Sequence, residues 1–162
     1  MRRILVIGLG NDLRGDDAAG LRVVRRLAGR VPESVRLVEA VPDAVALLDL
    51  WKGAGDVVVI DAMRSGAPAG TVATVDIDRD REDGSLVGEP VTSSHAMGLA
   101  EAVALARALD RLPRRLRVHG IEAGTFAHGA PLSAAVARAA DALADRLAAE
   151  LRASALGEDG AA

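Results

Sequence analysis

The chain has 162 residues, half of them apolar, which is the length of one domain with material for a full core. Its 20 basic and 23 acidic side chains leave a net charge of −3, and Trp51 and Phe126 are the only aromatics, so it has neither the field nor the stacking platform that nucleic acid requires. It has no cysteine, which excludes disulfides, thiolate metal sites and a cysteine nucleophile, and no run reaches the roughly 18 apolar residues of a membrane helix.

The opening "RILVI" is aliphatic without alternation, as in a strand buried on both faces. Its apolar run is too short for a leader, since Asn11 and Asp12 close it, and a cytoplasmic protein is expected. The loop "GLGNDLRGDDAAG" follows. From Asp16 to Arg30 the pattern turns helical, with Leu21, Val24 and Leu27 at three-residue spacing. Val35 to Val38 reads as a second strand, and Asp43 opens a short helix through Leu50. "DVVVI", Asp56 to Ile60, is the strongest strand and is expected at the centre of the sheet. A glycine- and proline-bearing loop leads to "TVATVDI". That connection is too short for a parallel crossover, so the fourth strand is expected antiparallel to the third. Asp78 to Pro90 reads as a long charged loop. A helix follows over Met97 to Leu109, then a fifth strand in "LRVHGIEAG". Leu132, Val136, Leu143, Leu147 and Leu151 mark a last amphipathic helix with Ser133 as a cap. Residues 1–153 are thus expected to form a single α/β domain and residues 154–162 a flexible tail.

Strands alternating with helices predict a three-layer α/β/α sandwich around a mixed five-stranded sheet, four strands parallel and one antiparallel. Ligands of such sheets gather beyond the carboxyl ends of the parallel strands. Asp16 and Asp17 follow the first strand, Asp61 the third, and His95 precedes a helix whose start lies on the same edge. Glu122, ending the fifth strand, is a secondary candidate on that rim.

Each candidate has a plainer reading. Asp16 or Asp17 can cap a helix or favour its positive end, and Asp61 can close a turn. His95 can cap the helix that follows it. His119 alternates with strand residues and reads as structural, and His128 as an exposed loop residue. Together, however, Asp17, Asp61 and His95 offer two carboxylates and one imidazole, a ligand set for zinc, nickel or manganese that leaves open positions for an incoming group.

The motifs extend further. The blocks "GLGNDLRGDDAAG", "VVVIDAM", "TSSHAMGL", "HGIEAG" and "GAPLSAAV" occur in that order along nearly the whole chain. In this the sequence resembles the nickel–iron hydrogenase maturation proteases, which trim the C-terminus of the hydrogenase large subunit. Gly8, Gly10, Asn11, Leu13, Asp16, Asp17 and Gly20 match the family's first block. Ala123 stands where the family often has proline, and Asp17 where it often has glutamate.

The resemblance implies a phosphorylase/hydrolase-like sandwich and an endopeptidase acting on a large-subunit precursor. It implies that Asp17, Asp61 and His95 are the metal ligands and catalytic set, and that the metal is nickel already installed in the precursor. No nucleic acid, no membrane and a monomer are expected. A metal here can polarise the scissile carbonyl, activate a water or act as a template. A serine mechanism would draw on Ser93 or Ser94, which adjoin His95. Two alternatives are weighed: a peptidyl-tRNA hydrolase-like esterase, whose family also opens with Gly-Leu-Gly-Asn, and a non-catalytic nucleotide-binding module of Rossmann type, whose third glycine is replaced here by Leu13. The first lacks its expected histidine block here, and the second would place two carboxylates against a pyrophosphate.

Overall fold

The computed structural model describes residues 3–78 and 96–159. The loop expected up to Pro90, Ser93, Ser94 and the candidate His95 lie outside the described residues.

Five strands form one sheet in the order β2-β1-β3-β5-β4, with β1 Ile4–Leu9, β2 Val35–Ala40, β3 Asp56–Met63, β4 Val72–Asp78 and β5 Arg115–Glu122. β1, β2, β3 and β5 are parallel, and β4 pairs antiparallel to β5. β4 thus runs opposite to β3, as its short connection demands. It hydrogen-bonds to β5 because β1 and β5 already occupy both edges of β3. β3 is central, and it runs two residues beyond the acid expected to follow it, so Asp61 lies inside the strand.

The sheet is covered on both faces. α1 (Ala19–Leu27) and α4 (Ala134–Asp159) pack on one side, against Val6, Ile60, Ala62 and Ile121. α2 (Ala44–Trp51) and α3 (Ala96–Ala108) pack on the other, against Leu5, Ile7, Val57, Val59 and Leu116. Alternate residues of β1 and β3 enter different cores, which is why these strands read as unbroken apolar runs. In α4, Val136, Ala140, Ala144 and Ala148 recur every fourth residue and are fully buried, so that small side chains admit α1 closely. Arg22 adds a bidentate pair to Asp141 across those helices, at 2.8 and 2.9 Å. It is half exposed and contributes little beyond orientation.

Asp43 caps α2, its carboxylate accepting the Ala46 N–H at 2.8 Å. The helix expected from Asp16 begins as a 3-10 turn, Gly15–Ala18, and becomes α-helical only at Ala19. It stops at Leu27 because Gly29 takes a left-handed conformation, φ +73°. α4 continues through Asp159. Among the described residues, no helix is long and apolar enough to cross a membrane.

Candidate active site

The glycines of the first loop serve close packing. A Cβ on Gly20 would collide with the carbonyl oxygens of both Leu9 and Ile60, and one on Gly8 with the Gly20 carbonyl. The start of α1 therefore rests directly on the carboxyl ends of β1 and β3. A Cβ on Gly10, at φ +153°, would strike the Asp17 carbonyl. The loop folds onto its own turn. This geometry delivers Asp17, only 2% exposed, to the edge where β3 presents Asp61, 5% exposed.

Asp61 continues the parity of Val57 and Val59, so it faces the side of α2 and α3. Its Oδ1 accepts the N–H of Ala62 at 2.8 Å, which fixes the carboxylate against its own strand. Next to it on that face, the Met63 side chain lies over Gly120, where a Cβ would meet the sulfur at 2.6 Å. The first turn of α3 reaches the same edge: Gly98 sits against the Pro42 carbonyl in the loop after β2.

Asp16 does something different from its neighbour. It is fully buried and caps neither the 3-10 turn nor α1. Its Oδ2 accepts the N–H groups of Gly124 at 2.8 Å and Thr125 at 3.0 Å and the Ser133 hydroxyl at 2.9 Å. Its Oδ1 accepts the Ser133 N–H at 2.6 Å. The carboxylate thus ties the first loop to the β5–α4 connection. Ser133 does precede α4, but its hydroxyl donates to Asp16.

Glu122 is likewise buried and acts as a clamp on the β3–β4 loop. Its Oε1 accepts Ser65 N–H at 2.9 Å and Gly66 N–H at 3.1 Å, and its Oε2 accepts the Ser65 hydroxyl at 2.8 Å. Glu122 is on the rim as expected, with its oxygens spent on structure. Between these two clamped loops, Arg64 stacks on Phe126 at 4.8 Å from the ring centroid and Arg14 approaches the same ring at 5.9 Å. Sequence reasoning missed this cluster, because its members lie on three separate loops and carry no local motif.

His128 is exposed, and His119 is buried on β5 with Nδ1 2.8 Å from the Thr74 hydroxyl oxygen, so both fit their structural readings. Burial, then the charges of Arg146 and Arg117, push the His119 imidazole down to about 4, against a smaller opposite pull from Asp76. It is neutral at pH 7.

The structure therefore brings Asp17 and Asp61 to one edge and leaves Asp16 and Glu122 as supports behind them. Among the described residues no group of three His, Asp or Glu side chains is placed to hold a metal. Carboxylates are hard oxygen donors, suited to a divalent cation.

Comparison with known proteins agrees with this architecture. A family model described as hydrogenase maturation protease matches residues 21–150. The hydrogenase expression/formation protein HupD of Rhodobacter capsulatus is 31% identical over 122 residues, covering 74% of this chain and 57% of that protein. The chain thus spans little more than half the length of that relative. Among solved structures, the hydrogenase maturating endopeptidase HybD from E. coli superposes with a TM-score of 0.77 at 25% identity, over 95% of this chain and 94% of that one. The [NiFe] hydrogenase maturation protease HybD from Thermococcus kodakarensis gives a TM-score of 0.72 at 30% identity, over 94% and 99%.

Proposed function

The chain belongs to the hydrogenase maturation proteases, and from that premise we propose that it is a cytoplasmic, monomeric endopeptidase that removes the C-terminal extension of a nickel–iron hydrogenase large-subunit precursor. The nickel is substrate, carried in by the precursor. Asp17, Asp61 and His95 engage it and so position the neighbouring peptide bond for cleavage.

One observation carries this reading. Two carboxylates from separate elements, Asp17 and Asp61, are each buried at the carboxyl edge of the sheet, where Gly20 brings the start of α1 directly onto Leu9 and Ile60. Carboxylate oxygens are donors that a divalent cation accepts. A folded protein as substrate agrees with the surroundings: Leu13 and Val41, in loops at that edge, and Val45, in the first turn of α2, are large apolar side chains left exposed. The family match replaces the esterase and nucleotide-binding alternatives.

The test is an incubation of the purified chain with nickel-loaded precursor, with nickel-free precursor and with casein. The expected result is a single cut near the C-terminus of the loaded precursor and none in the other two. Loaded precursor left intact would overturn the proposal. Efficient cutting of nickel-free precursor would leave the endopeptidase standing and remove nickel as its signal.

A further inference from the structure

We propose that the outer edge of β4 takes up a stretch of the precursor's C-terminal extension as an added strand. This rests on the endopeptidase reading above and gives it a peptide-binding surface. β4 is the last strand of the sheet and is bonded on one side only, to β5. The register sets Ala73 opposite Gly120 and Gly120 opposite Asp61, so the three lie in one row across the sheet. The first half of β4 is therefore level with Asp61, two strands away.

The chain enters β4 through a bulge. Gly70, at φ +88°, donates its N–H to the Glu122 carbonyl at 2.8 Å, and the Glu122 N–H donates to the Thr71 carbonyl at 2.8 Å. That bond sets the alternation of the antiparallel pair. Ala73 and Val75 exchange bonds with Gly120 and Val118, and the N–H and C=O of Val72 and Thr74 point away from the sheet. Among the described residues no hydrogen bond takes up those outward groups. Such a row is a template for another extended chain. It is also held firmly: Val72 packs on the α1/α4 core, Val75 on the opposite core, and the Thr74 hydroxyl lies 2.8 Å from His119 Nδ1.

Sheet edges are ordinarily blunted by charge. β2, at the opposite edge, carries Arg36 and Glu39. Thr71 to Val75 carries no charge and is mostly β-branched, which suits pairing, and Asp76 and Asp78 stand only at the end remote from the site. The open, uncharged half of β4 is thus the half beside Asp61. Size and place then select the occupant. So short an edge buries far less than the roughly 1,200 Å² that a stable pairing of two copies needs. A peptide already held at the Asp17–Asp61 edge needs only backbone bonds in addition. With strands about 4.8 Å apart, the added strand lies about 14 Å from β3, a span of about four or five extended residues.

The test is amide hydrogen exchange by NMR on the full chain, free and with a synthetic peptide of the precursor's C-terminal extension, a probe that requires neither nickel nor cleavage. In the free chain the Val72 and Thr74 N–H groups should exchange fast and those of Ala73 and Val75 slowly. With about 5 mM peptide, Val72 and Thr74 should slow about tenfold or more while Ala73 and Val75 change little. Unchanged exchange at Val72 and Thr74 overturns the proposal. So does protection in the free chain that rises with its concentration, which would make a second copy the occupant. Variants give an independent arm. Thr74→Pro removes the outward N–H without breaking a β5 bond, whereas Thr74→Val loses the same hydroxyl and keeps the N–H. By biolayer interferometry, Thr74→Pro should bind nickel-loaded precursor about tenfold more weakly than wild type, and Thr74→Val within about twofold, with thermal melting confirming that both are folded. Equal affinity of the two variants overturns the proposal even if wild type cuts normally; should Thr74→Pro not fold, the exchange measurement on wild type decides. Edge-dependent binding without cleavage by wild type supports it and overturns the endopeptidase reading instead.

Discussion

Replacing Asp16 with alanine would remove, in one step, the acceptor for the N–H groups of Gly124, Thr125 and Ser133 and for the Ser133 hydroxyl. Donors left unsatisfied in a buried site are expensive, so Asp16→Ala should lose about 2–5 kcal/mol in urea unfolding. Asp17 sits one residue on and should behave in the opposite way, as should Asp61. Asp17→Asn and Asp61→Asn keep the volume and relieve repulsion between acids, so stability should stay within about 1 kcal/mol of wild type. Cleavage of nickel-loaded precursor should nonetheless disappear in both. An Asp61→Asn protein that processes precursor at the wild-type rate would remove Asp61 from the site. The contrast between adjacent aspartates was only half visible in the sequence. The pair suggested that one supports and one binds, but the expected support was a helix cap. The partners of Asp16 lie up to 117 residues away, beyond any local pattern.

At the scale of elements, α1 needs a glycine near its start and another past its end for different reasons, and only the first bears on the site. Gly20 is needed for space, since its Cβ would meet backbone oxygens of two strands that cannot yield. Gly20→Ala should lift α1 from β3, cost about 1–3 kcal/mol and displace Asp17, so that cleavage falls more than stability does. Gly29 is needed for conformation, at φ +73° with no atom close enough to meet a Cβ. Gly29→Ala should cost about 1–2 kcal/mol and leave cleavage unchanged at a temperature where the protein is folded. Equal loss of cleavage in both would mean that α1 placement does not control the site. The sequence made most of this architecture legible where the signal is local. β1 and β3 announced their double burial by unbroken aliphatic runs, and Asp43 its cap by position. β4 announced its direction by a short connection. What it left unread joins distant loops: the hold of Glu122 on Ser65 and Gly66, and the gathering of Arg14 and Arg64 at Phe126.

For the molecule as a whole, the response to acid should divide into two stages with separate causes. His119 is buried between the sheet and the α1/α4 layer, neutral, with Arg117 and Arg146 disfavouring its charge. Its folded value of about 4 lies below the ordinary imidazole value of 6.5. The unfolded chain therefore takes up a proton that the native chain refuses. The resulting stability is fully present above pH 6.5 and is lost as pH falls towards about 4. The slope can reach about 1.4 kcal/mol per pH unit, and the total about 3 kcal/mol. A second stage lies lower. Arginine hydrogen bonds hold the carboxyls of Asp12, Asp76 and Asp141 below the ordinary aspartate value. Their contribution is present above that value and disappears only as they protonate beneath it. These groups are largely open to solvent, so the second stage should be shallow and weakened by salt. Urea unfolding of wild type from pH 7.5 down to about 2 should show the steep upper stage, insensitive to salt, above the shallow lower one. His119→Gln should flatten it and leave the lower stage in place. The comparison is of slopes, so a constant loss of stability from the substitution itself does not disturb it. A His119→Gln protein with the wild-type slope between pH 6.5 and 4 would move the origin of acid sensitivity to another group.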